Sequence, residues 1–133
     1  MIGADTNVLV RANLDDDEKE SLAAKLFLSK HADEKSLFVS SYAILEFAWV
    51  LKTKGRTREE ISESILDLID PPGIVIGQRD VVVNAAELYR KGKNDFGDYI
   101  ILAQGEEYST TQLATFDRKL VKENPTRCVI PAL

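Results

Sequence analysis

Short apolar runs alternate with longer helical patterns from one end of this chain to the other, and that alternation leaves few folds open. Apolar runs at 2–5, 37–40, 74–76, 111–115 and 127–130 have the length of strands. Helical periodicity occupies 8–13, 22–30, 42–51, 58–69, 81–91 and 96–107. Strands separated by helices pair in parallel, with the helices as crossovers. The expected class is α/β: a three-layer fold with a central parallel β-sheet flanked by helices. Pro71-Pro72-Gly73 reads as a turn, and no linker, repeat or low-complexity segment interrupts the chain. Residues 1–133 therefore read as one domain, long enough for a full hydrophobic core.

Composition removes several chemistries. The single histidine, His31, lies in a polar stretch away from other candidate groups. That excludes a two-histidine nuclease, leaves no zinc cluster to assemble, and disfavours a histidine-bearing triad. The lone Cys128 has no partner for an internal disulfide, and neither a leader pattern nor a membrane-length apolar run is present. A reduced, cytoplasmic protein with no membrane contact is the simplest reading. The net charge of -5 argues by itself against nucleic acid. Basic residues nevertheless gather at Lys52, Lys54, Arg56 and Arg58, at Arg90, Lys91 and Lys93, and at Arg118, Lys119 and Lys122. They count as solvated faces unless the loops surround one site.

Parallel sheets place their sites beyond the carboxyl ends of the strands. Asp5 ends the first expected strand, Ser40, Ser41 and then Glu46 follow the second, and Asp117 follows the fourth. Asp98 opens the helix that feeds the fourth strand, so it starts near the same edge. Four carboxylates distant in sequence are expected to converge at one rim. Each also has a plainer reading. Asp5, Asp95 and Asp117 are all placed to cap helices. Glu46 stands in Ile-Leu-Glu-Phe-Ala-Trp-Val-Leu, and its apolar neighbours suggest a buried carboxylate that needs a cation or an ion-pair partner. Asp98 shares a helix face with Ile101 and Leu102 and should border the core.

Crowded carboxylates repel one another, and hard divalent cations such as Mg²⁺ relieve this through oxygen ligands. A metal-bound water then attacks a phosphodiester without any histidine base. Basic residues before Asp95 and after Asp117, namely Arg90, Lys91, Lys93 and Arg118, would hold the flanking phosphates.

Asp-Thr-Asn-Val-Leu-Val at the N-terminus, Glu46 in an apolar helix, Asp-Phe-Gly-Asp at 95–98 and Thr-Phe-Asp-Arg at 115–118 together resemble a PIN domain. Within that family the chain resembles the VapC toxin group, and the likeness runs from residue 2 to about residue 130. The resemblance implies RNA cleavage with Mg²⁺ or Mn²⁺, Asp5 and Asp98 being principal ligands and Glu46 and Asp117 completing the pocket. It implies supporting roles for Asn7, Asp95 and Thr115, whose hydroxyl would help order water or metal. It also implies a homodimer and a cognate VapB-type antitoxin that covers the pocket. Tyr99 departs from the family pattern, where a small residue usually follows the acid.

Two other classes compete with this reading. An aspartyl-phosphate phosphatase or receiver would use Asp5 as nucleophile, but the phosphatase pattern wants a second acid where Asn7 stands, and a receiver wants a lysine where Pro131 stands. A non-catalytic binding module needs none of the four acids. Residues 42–51 and 61–69 also hold more apolar side chains than one helix face buries, which points to a self-associating surface.

Overall fold

The computed structural model describes residues 1–133, which form two compact units, Met1–Arg79 and Asp80–Leu133. The chain is mixed α/β, with seven helices and strands that pair only in parallel. No helix is long and apolar enough to cross a membrane.

In the first unit, β1 (Ile2–Gly3), β2 (Leu37–Val39) and β3 (Ile74–Ile76) form one sheet in sequence order. Ile2 pairs with Leu37, and Leu37 with Ile74. Each crossover is a helix pair: α1 (Thr6–Asn13) with α2 (Glu18–Asp33), then α3 (Ser41–Thr53) with α4 (Arg58–Ile69). Leu37, Val39, Ile74 and Ile76 turn into a core closed by Leu9, Ile44, Phe47, Leu51, Ile61 and Ile65. Burial of such aliphatic side chains is the main stabilising term. Local signals set the helix ends. Thr57 and Glu60 make a reciprocal capping box that starts α4. Gly55, at φ 83, ends α3 in the left-handed conformation that side chains avoid, and the next N–H, that of Arg56, reaches back to the Leu51 carbonyl.

The acidic run 15–18 is absorbed by structure. Asp15 pairs with Lys25 at 2.9 Å, Asp16 pairs with Arg11 at 3.1 Å, and Asp17 caps α2. His31 is likewise local, with Nδ1 3.1 Å from the Ser36 hydroxyl and its ring against Phe27.

The second unit holds α5 (Arg79–Lys91, its first residue still in the first unit), α6 (Phe96–Glu107), β4 (Leu113–Ala114), α7 (Arg118–Glu123) and β5 (Cys128–Val129). The last three form a β-α-β crossover with Leu113 opposite Cys128. Tyr89 of α5 meets Phe96 and Tyr99 of α6 edge to face, a favoured geometry for aromatic pairs.

Candidate active site

Asp5 directly follows β1 and caps α1: its Oδ1 accepts the Thr6 N–H at 2.7 Å. The capping alternative is thus realised, but it occupies one oxygen and leaves the other outside the cap. The adjacent strand β2 ends at Ser40, which caps α3 through its hydroxyl. Because β1 and β2 are parallel and in register, Asp5 and the start of α3 lie at the same sheet edge. The buried Thr6 ties them together, its hydroxyl donating to the Ala43 carbonyl. Asn7 follows, exposed, in the first turn of α1.

Glu46 corrects one expectation, for it is exposed rather than buried. Helix α3 buries positions 43, 44, 47, 48 and 51, a stripe of 3.6-residue periodicity. Position 46 falls on the opposite face with Tyr42 and Trp49, which are 76% and 66% exposed. Its apolar sequence neighbours project elsewhere, and its carboxylate is open to solvent.

In the second unit, Asp95 caps α6 and Asp98 stands three residues on, the two making a reciprocal capping box. Asp98 Oδ2 accepts the Asp95 N–H at 3.1 Å. Asp98 is half-buried: of the two residues that share its face, Leu102 is buried but Ile101 is 53% exposed, so the face meets the core only in part. Burial holds its carboxyl above the usual carboxylate range. The negative charges of Asp95 and Asp117 push it further up, while the bond from Asp95 N–H and the nearby Lys119 pull it back. Asp117 caps α7, its Oδ1 accepting N–H groups of Lys119 and Leu120 at 3.0 and 3.1 Å. Thr115 fixes that turn by accepting the Asp117 N–H at 3.0 Å, which leaves its hydroxyl proton free to donate. Asp98 thus feels the charges of both Asp95 and Asp117. No group of three or more His, Cys, Asp or Glu side chains is drawn together as a ready-made metal site. The donor set nevertheless suits a hard divalent cation: all oxygen, with one member strained by burial and like charge.

Of the basic residues, Arg90, Lys91, Lys93 and Arg118 are all exposed. Lys119, in the basic cluster after Asp117 but outside the four residues expected to hold phosphate, is the cation that acts on Asp98. Tyr99 and Glu123 form a second unforeseen feature. Tyr99 is fully buried; its hydroxyl donates to Glu123 and accepts the Asn94 N–H at 3.1 Å. Glu123 also accepts the Lys93 N–H at 2.8 Å. Partial desolvation opposes ionisation of Glu123, but the bonds from Tyr99, Lys93, Asn94 and Asn124 together hold its carboxyl below the usual range. An acid in the last turn of a helix, at the negative end of the dipole, was the available signal that Glu123 needed donors. The knot joins the basic loop, the residue after Asp98 and the helix capped by Asp117.

The family model for the PIN domain matches residues 3–123, nearly the whole chain. No curated protein sequence gives a significant match.

Proposed function

The chain belongs to the PIN-domain family, whose members are generally nucleases, and we propose that it is a metal-dependent endoribonuclease of the VapC toxin kind. The observation that carries this reading is the state of Asp98: half-buried, accepting the Asp95 N–H, and pressed by the charges of Asp95 and Asp117. A protein folds such a carboxylate into a crowded acidic position at a cost in stability, and a cation offsets that cost. Asp5, Glu46, Asp98 and Asp117 are the residues that would hold Mg²⁺ or Mn²⁺. The ion supplies, when bound, a more acidic water and neutralisation of phosphate charge.

The rest is done by the chain itself. The capping bonds to Asp5 and Asp117 fix each carboxylate by one oxygen, and Thr115 holds the Asp117 turn and keeps a proton to donate to a water. Arg90, Lys91, Lys93 and Arg118 bind flanking phosphates and set the strand's register without reading sequence. A homodimer and inhibition by a VapB-type antitoxin belong to the same reading. The exposed Leu22 and Leu26, one turn apart on α2, support an association surface.

The purified chain is expected to cleave single-stranded RNA when Mg²⁺ or Mn²⁺ is added and to stop in EDTA. Full activity in EDTA rules out this chemistry.

A further inference from the structure

Tyr42, Glu46 and Trp49 lie four and three residues apart, so they share one outward face of α3. The two rings are 76% and 66% exposed, while the opposite face alone supplies the buried residues of this helix. They are therefore not core residues. At 1.5 Å of rise per residue they stand about 10 Å apart along the axis, with the Glu46 carboxylate between them. Lys52 lies one turn beyond Trp49, and Lys54 and Arg56 follow the helix end.

We propose that Tyr42 and Trp49 form a stacking platform for single-stranded RNA, seating bases on either side of the phosphodiester presented to Glu46; this rests on the nuclease reading above. Charge selects this occupant. An apolar partner covering both rings would also bury Glu46, and an ionised carboxylate buried without a partner is costly. RNA bases cover ring faces while their polar edges and backbone remain hydrated, so Glu46 need not be dehydrated. The cations past Trp49 continue the track for the backbone. Aromatic rings beside a basic track are how sequence-tolerant single-strand binders work.

Trp49 is the only tryptophan in the chain, so its fluorescence reports this one position. The full-length Asp98→Asn protein in Mg²⁺, which on the nuclease reading cleaves RNA too slowly to consume it during the titration, is titrated with a single-stranded oligoadenylate. An abasic ribose-phosphate oligomer of equal length is the comparison. Saturable quenching by the oligoadenylate, with binding of the abasic oligomer at least about 5-fold weaker, is expected for one lost stack. In cleavage assays Trp49→Ala should raise KM roughly 5- to 100-fold with kcat nearly unchanged, and Trp49→Phe should restore most of the loss. Tyr42→Ala should act in the same direction. Equal quenching by both oligomers overturns the platform, as does an unchanged KM in Trp49→Ala. Loss of a dimer in Trp49→Ala by light scattering with KM unchanged also overturns it, and makes the ring a contact between copies. If wild type cleaves no RNA but quenching still depends on the bases, the nuclease reading fails and the platform stands.

Discussion

Asp98→Asn should lower RNA cleavage by roughly 10²- to 10³-fold and, at the same time, raise the melting temperature of the metal-free protein at neutral pH. The first effect follows from removing an anionic ligand from a metal whose contribution is several kcal/mol, at 1.36 kcal/mol per tenfold. The second follows from the position of Asp98 in the fold. Burial comes first among the causes that raise its pKa, followed on the raising side by the charges of Asp95 and Asp117. The folded protein thus holds this proton more tightly than the unfolded chain. Stability from this group is fully present below its ordinary value of 3.8 and is lost as pH rises through the raised folded value. At neutral pH the whole penalty applies. Asparagine deletes the charge, and its side-chain oxygen still accepts the Asp95 N–H that closes the helix start. The difference between the proteins should shrink as the pH is lowered towards 3.8. Mn²⁺ should raise the wild-type melting temperature through binding linkage and the variant's less. Asp16→Asn is the control, because Asp16 pairs with Arg11 on the surface and its loss brings no comparable relief. If Asp98→Asn melts lower in EDTA and responds to Mn²⁺ as wild type does, Asp98 is a structural helix-start residue and nothing more.

What could be read from sequence depended on whether the signal was local. Helices α4 and α6 occur at the 58–69 and 96–107 that helical periodicity marks, and capping boxes of Thr57 with Glu60 and Asp95 with Asp98 close their starts within four residues. Helix α2 was expected only over its apolar middle, 22–30, yet runs Glu18–Asp33. Its first turn is stabilised by Asp17 as cap and by acids at the positive end of the dipole, which an apolar pattern does not register. Strands were expected longer than they are: β4 pairs over two residues, not the five of 111–115. An apolar run shows where a strand can form, while its ends depend on partners distant in sequence. Glu46 is exposed despite its apolar sequence neighbours because helical phase turns positions 44, 47 and 48 away from it. The capping and metal-binding readings of Asp5 and Asp117 proved compatible, since a cap occupies one carboxylate oxygen. Glu123 stayed hidden because its partners, Tyr99 and the Lys93 N–H, are 24 and 30 residues away.

Gly92→Ala should destabilise the protein by about 3–5 kcal/mol, the range where overpacking and lost buried hydrogen bonds combine. A Cβ at Gly92 would lie 1.8 Å from the Tyr99 hydroxyl oxygen, 2.6 Å from Cζ and 2.8 Å from a Glu123 carboxylate oxygen. The ring has little room to move: Tyr99 is fully buried and packs edge to face on Tyr89, with centroids 6.4 Å apart. Nor does the loop shift freely, since the Gly92 N–H is bonded to the Leu88 carbonyl and the next N–H to Glu123. Something in the knot must break, and the buried Tyr99 hydroxyl is then left without its partner. Urea unfolding should show a lower midpoint with an unchanged slope. Cleavage should fall too, because the knot ties the basic loop to the residue after Asp98 and to the helix capped by Asp117. Tyr99→Phe separates crowding from stability in general. Alone it removes the hydroxyl's bonds and should destabilise by about 1–3 kcal/mol. Combined with Gly92→Ala it also removes the atom nearest the new methyl group, so the double variant should be less destabilised than the sum of the singles. Strict additivity, or a Gly92→Ala midpoint equal to wild type, would show that the loop yields without disturbing Tyr99 and that the knot does not position the acids on either side of it.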